Sequence, residues 1–448
     1  MRRIPWIFLA TLLAVPLSAQ AQPAGQGETP VINGPTRAAI VDSITAVIDS
    51  VYVLGEPAEM IVAELRKNLA DGAYDEFTDP AAFAQRLYDD AQAINHDGHF
   101  DIRALPPANP RAEVARQEED PTEIERRRRI NRSRNYGFRK AEILSGGVGY
   151  IRFDQFSHGD DAFLAAAAAM NFVANSNAVI IDLRNNGGGS AAMIRFVAGY
   201  LFEENAHLIN WDIRAEGKTD QSYSADYVPG QRIIEQPVYI LTSGRTFSAA
   251  EEFTFDMKNL ERATVVGDTT GGAGHTVAGY AFAFDGFRIG IRLPYGRAYN
   301  PENDEGWEGV GVIPHITVPA AQALDAAHGD ALARLIENEE DEEFRAVLQW
   351  DRVEVVSRLE PMKFDPDVME EYLGRYGPRR IFVEDGEYYY QREDRAPHRL
   401  SPLGEDLFQV GDLDYFRLSF ERDEGGRIVK IIGLYRGGRT DENLRDES

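Results

Sequence analysis

Ser248 follows the apolar run Val238–Leu241 through Thr242-Ser243-Gly244-Arg245-Thr246-Phe247, and it precedes the helix-like run Ala249-Ala250-Glu251-Glu252-Phe253. A hydroxyl at a strand-to-helix junction lies near the positive end of a helix dipole, beside N–H groups that have no intrahelical acceptor. That is the setting for a nucleophile attacking a carbonyl whose oxygen gains negative charge. The same position also suits a plain helix cap. A second stretch, Asp182-Leu183-Arg184-Asn185-Asn186-Gly187-Gly188-Gly189, follows the apolar run Ala178–Ile181. Consecutive glycines between a strand and a helix leave backbone N–H groups approachable, so this loop predicts a cradle for an oxyanion or a phosphate. It lacks the lysine and hydroxyl ending of a nucleotide P-loop and the GxGxxG spacing, which favours the oxyanion.

A serine hydroxyl needs a base at neutral pH, and histidine is the commonest one. Asn95-His96-Asp97-Gly98-His99-Phe100 places two of the chain's eight histidines in one turn. His275, in the glycine-rich turn Gly271-Gly272-Ala273-Gly274, is a rival base or a substrate-binding group. Trp307-Glu308-Gly309-Val310-Gly311-Val312 supplies a carboxylate that could orient such a group, with Glu305 as a nearby rival. Arg184 and Arg245 flank the glycine loop and the serine, and either could bind a substrate carboxylate. Glu251 and Glu252 read as acids that favour the dipole of the helix they open.

The elements that must position these residues change character along the chain. Arg2 and Arg3, an apolar stretch and Ala19-Gln20-Ala21 read as a signal peptide over residues 1–21, followed by a flexible leader over 22–34. Apolar residues at three- and four-residue spacing predict an N-terminal helical bundle over 35–103, including a helix capped by Asp79-Pro80. A polar connector with an arginine run occupies 104–145. From 146 to 325, strand-like and helix-like runs alternate, which predicts a largely parallel, covered sheet. A helical linker over 326–366 leads to a small antiparallel β domain over 367–440, marked by Asp-Gly and Gly-Gly turns.

Composition narrows the function classes. The 448 residues carry a formal charge of −26, which argues against nucleic acid and anionic membrane surfaces as partners. There is no cysteine, hence no disulfide framework and no lipid-modified cysteine. These features predict a protein exported by a bacterium to a periplasm, with no membrane span after signal cleavage.

The combination of DLRNNGGG, TSGRTFSAAEEF, VVGDTTGGAGH and WEGVGVIPHITV resembles the tail-specific (carboxyl-terminal processing) serine peptidase family, in the branch of the Tricorn core protease and interphotoreceptor retinoid-binding protein. The resemblance spans about Pro35 to Val318. It implies an α/β fold with a crotonase-like or Clp-protease-like spiral core, beside the N-terminal bundle and a C-terminal β domain similar to a lipocalin-like module. It implies Ser248 as nucleophile and the N–H groups of Gly187 or Gly188 and of Ala249 as oxyanion donors. It implies His99 as base and Glu308 as the late glutamate, with peptide or protein substrates and no metal or other cofactor. Two departures stand out. Ala273 occupies the place of the lysine used as base in one branch, and Gly98 stands where the Tricorn-like branch has a serine before its histidine. No PDZ-like domain is expected, because residues 104–146 are too few and too polar. The expected activity is an exported serine peptidase, possible as a homo-oligomer. The competing readings are a non-catalytic binder of apolar ligands or peptides on the same fold, and an esterase.

Overall fold

A computed structural model describes residues 30–107, 121–362 and 366–446. The expected signal peptide and most of the leader lie outside the described residues, as does part of the polar connector. Among the described residues, no helix is long and apolar enough to cross a membrane. The chain divides into two compact units.

The first unit joins the chain up to Ile130 with His207–Tyr223 and Ala273–Gly309. Its helices begin where their caps dictate. Asn33 accepts from Thr36 N–H ahead of Gly34–Val51, and Asp79 accepts from Ala82 N–H at 2.8 Å ahead of Pro80–Ile94. A further helix spans Gly55–Ala70. Against them lies an antiparallel sheet in the order Asp101–Leu105, Phe287–Tyr299, His207–Ile213, Lys218–Tyr223, with His275–Phe284 also paired to Phe287–Tyr299. Asp285 and Gly286 both take positive φ, 50° and 80°, the geometry that lets a two-residue turn join strands of natural twist. Phe287, Ile289, Ile291 and Leu293 alternate along their strand and enter one core with Ile40, Ile44, Ile48 and Leu87. Residues 207–223 and 273–309 therefore belong with the N-terminal helices, whereas the sequence places them in one 146–325 core. Strand alternation with period two sends one face of the hairpin to the helices, and the sequence alone does not say whose helices those are.

The second unit holds the parallel sheet. Its order is Ile316–Thr317, Thr264–Gly267, Val238–Thr242, Ala178–Asp182, Val148–Phe153, with Phe138–Leu144 antiparallel at one edge. Ala178–Asp182 and Val238–Thr242 are buried along their whole length, as expected for central strands covered on both faces. The helix Ala323–Asn338 packs Ala323, Ala327, Ala331 and Leu332 onto Val148, Ile180, Tyr239 and Leu241. Loops at the carboxyl ends of parallel strands are where such sheets place ligands. Here Asp182 pairs with Leu241, so the glycine loop and the serine loop leave neighbouring strands at the same end.

The same unit carries an eight-stranded antiparallel sheet from Gly374 to Leu444, each strand paired with the next. Its two ends meet. Asp446 N–H donates to Arg375 O at 2.9 Å, and the buried Arg379 pairs with Asp441 at 2.6 Å. Both edges are thus occupied over part of their length, which removes the exposed ladder of an open sheet. Inside lie Tyr376, Leu400, Val410, Leu418 and Ile431. The fold class is the expected one, α/β with an N-terminal helical bundle and a small barrel-like β domain at the C-terminus.

The helix Ala249–Asn259 is buried from Ala249 through Met257 and contains two acids one turn apart, Glu252 and Asp256. Both oxygens of Asp256 and one of Glu252 are buried, with no hydrogen-bond partner among the described residues. Burial pushes the Glu252 carboxyl up to about 8 and raises Asp256 well above the usual carboxylate range. The native state therefore keeps protons that an unfolded chain releases near pH 4, so stability falls as pH rises from about 4 to 8. Asp256→Asn is expected to raise stability by about 1–3 kcal/mol at pH 8 and by much less at pH 5. Thermal unfolding at the two pH values checks this; equal shifts at both would refute it.

Candidate functional site

Ser248 occupies the N-cap position of the helix Ala249–Asn259, with φ 53° and ψ −124°. A non-glycine residue in this region costs on the order of 1–3 kcal/mol and persists only where its surroundings impose it. The imposing group is Glu251, fully buried. Its carboxylate accepts from Ser248 N–H at 2.8 Å, from Thr270 Oγ1 at 2.6 Å and from Gly272 N–H at 2.6 Å. Thr270 Oγ1 in turn accepts from Val312 N–H at 2.7 Å. The segments GDTTGG and GVGV, read at first only as motifs, thus form the wall that holds the serine turn. Glu251 does more than favour the helix dipole. Its spacing, Ser-x-x-Glu, is that of a capping box, and this was the available signal.

The glycine loop is built to touch that turn. A Cβ on Gly188, whose φ is +98°, would lie 2.7 Å from Phe247 O and 2.9 Å from Ala249 N. Asn186, fully buried, props the loop: its Nδ2 donates to Phe153 O and its Oδ1 accepts from Gly188 N–H at 2.9 Å. Gly188 N–H is therefore already engaged, which corrects its expected role as an oxyanion donor; Gly188 serves by letting the two backbones approach. Among the described residues, no acceptor is bonded to Gly187 N–H or Ala249 N–H. Gly187 and Ser248 are exposed. Two bare donors thus stand in the loops that meet beside an accessible hydroxyl.

Arg184 is not available to a substrate. Its guanidinium makes a paired contact with the buried Asp182, at 2.9 and 2.6 Å, and donates to Ala320 O at 2.7 Å. This corrects the expectation for Arg184, whose charge is already neutralised. Arg245 is exposed and bonded to Asn185 Oδ1, so most of its donors face solvent.

The first unit brings together His99, Glu308 and His275. His99 Nδ1 lies 2.7 Å from Glu308 Oε1. The other oxygen of Glu308 accepts from Gly274 N–H at 2.7 Å and His275 N–H at 2.8 Å, which locks the carboxylate. Gly274 is required here, since a Cβ would lie 2.9 Å from Glu308 N. The hydrogen bond to Glu308 raises the His99 imidazole above its ordinary value, against the effect of burial. Burial alone would raise Glu308, but His99, His275 and the Gly274 N–H together hold it below the usual range. The His275 side chain is buried, and desolvation lowers its imidazole below the ordinary value, with Nδ1 3.8 Å from Glu308. Glu305 bonds Asn303 within its own turn, and His96 is exposed. Ala273 is buried and carries no amine.

The turn that presents His99 is held by residues the sequence reading passed over. Asp97 Oδ1 accepts from His99 N–H at 2.8 Å, and its Oδ2 accepts from Tyr52 hydroxyl at 2.7 Å. Asn95 Nδ2 donates to that same tyrosine oxygen at 2.7 Å. Tyr52 lies 45 positions from Asp97, too far for any local pattern to reveal.

Gly188→Ala is expected to lower stability by about 2 kcal/mol, because the added Cβ meets backbone atoms and the φ is unsuited to alanine. A fall in Tm measures it, and an unchanged Tm would refute the close approach.

Residues 147–318 match Peptidase family S41. A carboxyl-terminal-processing protease of Synechocystis sp. is 33% identical over 129 residues, 28% of this chain and 28% of the relative. One of Picosynechococcus sp. is 31% identical over 128 residues, 28% of this chain and 29% of the relative. The match thus spans under a third of those relatives' length. Among solved structures, a photosystem II D1 C-terminal processing protease aligns with TM-score 0.32 and 23% identity, over 39% of this chain and 43% of that one. Residues 147–318, which include the Asp182 and Ser248 loops, are thus similar to peptidase family S41.

Proposed function

We propose that this chain is an exported serine peptidase that hydrolyses peptide bonds with Ser248 as nucleophile. One observation carries the reading: Ser248 is held in a strained turn by the buried Glu251, with the unengaged N–H groups of Gly187 and Ala249 alongside. In this reading His99 accepts the hydroxyl proton while the serine oxygen bonds to the carbonyl carbon. The carbonyl oxygen becomes an anion and takes hydrogen bonds from Ala249 and Gly187, each donor contributing about 3–4 kcal/mol. The imidazolium, steadied by Glu308, then protonates the leaving amine. Water attacks the acyl-enzyme by the same steps in reverse roles and regenerates the serine. Arg245, exposed near the nucleophile, is the candidate to hold a substrate carboxylate. The N-terminal pattern of the sequence supports export.

The decisive experiment is labelling by a fluorophosphonate probe together with hydrolysis of a peptide library. Wild-type protein is expected to be labelled and to cleave peptides, and Ser248→Ala to do neither. Labelling that survives Ser248→Ala would refute the nucleophile. Cleavage of simple esters without cleavage of any peptide would favour an esterase.

Two variants probe the roles further. His99→Ala is expected to lower kcat/KM by about 10³-fold or more. Glu251→Gln keeps the shape but weakens the clamp on Ser248 N–H, and is expected to lower kcat by about 10²-fold with little change in KM. A Glu251→Gln effect confined to KM would show that the clamp does not act on the reacting group.

A further inference from the structure

The surroundings of His99 contain more ligating groups than an acid–base imidazole needs. Glu308 Oε1 stands 2.7 Å from Nδ1, and Asp97 Oδ1 stands 4.0 Å from the same nitrogen. One ligand atom from each of Asp97, His99 and Glu308 can be chosen so that all lie within 4.8 Å of one another. A second imidazole approaches the other oxygen of the glutamate: His275 Nδ1 is 3.8 Å from Glu308 Oε2, is buried, and among the described residues has no hydrogen-bond partner. The side chain of His275 is only 7% exposed, so this nitrogen is an unpaired polar atom held against a carboxylate.

We infer that Asp97, His99 and Glu308 form a site for a divalent transition cation of the zinc class, and that its occupation inhibits the enzyme. One imidazole nitrogen and two carboxylates, with water in the fourth position, are a donor set that zinc accepts in tetrahedral geometry. Bonds of about 2.0–2.2 Å put neighbouring ligand atoms about 3.3 Å apart. Around an ion, the His99 Nδ1 to Glu308 Oε1 separation opens by about 0.6 Å, while Asp97 Oδ1 closes on the same nitrogen by about 0.7 Å. Side-chain rotations supply such shifts. The carboxylates are already oriented from behind. Tyr52 hydroxyl holds Asp97 Oδ2, leaving Oδ1 on the His99 side, and two backbone N–H groups hold Glu308. Outer partners of this kind fix ligand orientation in metal sites. His99 and Glu308 are 19% and 25% exposed, so an ion can reach them from solvent.

The inhibitory consequence rests on His99 being the base, as proposed above. A neutral imidazole carries one N–H and one free lone pair. With Glu308 accepting from Nδ1–H, the lone pair is on Nε2, where a base needs it. A cation on Nδ1 takes that nitrogen's lone pair, and the ring proton moves to Nε2. One nitrogen–metal bond forms, one proton changes nitrogen, and nothing is oxidised. The ring can then no longer accept a proton at Nε2.

Binding is tested on Ser248→Ala protein, so that the result does not depend on catalysis. Calorimetric titration with zinc sulfate is expected to show one saturable site per chain, weakened at least about tenfold by adding His99→Ala or Asp97→Asn. Cobalt(II) on the Ser248→Ala protein is expected to give the intense visible bands of low coordination. That spectrum decides the matter should either added variant fail to fold. Zinc affinity unchanged by both added variants, or a cobalt spectrum like that of the aqueous ion, would overturn the site. Inhibition is tested on wild type: saturating zinc is expected to slow fluorophosphonate labelling at least about tenfold, reversibly by EDTA. Zinc binding with undiminished labelling would overturn the inhibitory role. Absence of labelling without zinc would instead refute the peptidase reading, and the calorimetric result would still decide the site.

Discussion

One buried carboxylate carries the Ser248 turn. Glu251 accepts three hydrogen bonds, from Ser248 N–H, Gly272 N–H and Thr270 hydroxyl, in a place with no solvent exposure. An ionised group in such a place is tolerable only when its lone pairs are occupied by donors. The arrangement is therefore mutual. The carboxylate needs these donors, and the donors belong to the segments that must be drawn around Ser248. The strain at φ 53° is the local cost of that arrangement, and it turns the serine side chain outward at the head of a buried helix.

A like economy governs the histidine. Glu308 uses one oxygen for His99 and the other for two backbone N–H groups, so the imidazole faces a carboxylate that cannot swing away. Gly274 is there because the Glu308 backbone comes too close for a Cβ. Gly98 precedes His99, and the turn is braced by Asp97 and Tyr52. The brace also explains why a second carboxylate lies close enough to the ring to suit a cation.

Set against these satisfied carboxylates are Glu252 and Asp256, on the same helix as Glu251 and buried with unpaired oxygens. Three acids within six residues thus have opposite fates. Glu251 meets donors. Its two neighbours meet apolar surroundings and each other, and hold protons. Charge pattern alone would treat all three as the solvated first turns of a helix.

What the amino-acid order determined was local and chemical. The apolar runs at Ala178 and Val238 specify central strands, Asp79-Pro80 specifies a helix start, and Asp285-Gly286 specifies a tight turn. The glycine loop, Ser248, His99 and Glu308 were legible as candidates because together they supply bare N–H groups, a hydroxyl, an imidazole and a carboxylate, the parts that acyl transfer needs. Tertiary structure decided which groups were left free to act. Gly188 and Arg184 could not be excluded beforehand, because the partners that engage them, Asn186 and the buried Asp182, matter only through the angles of a folded loop. Glu251 could be noticed by its spacing from Ser248, but not its contacts with Thr270 and Gly272. Likewise, the pairing of His99 with Glu308 joins residues 209 positions apart. Spacing along a chain encodes periodicity and caps, whereas a hydrogen bond between distant segments depends on the whole packing that brings them within 3 Å, and no short stretch of sequence contains that information.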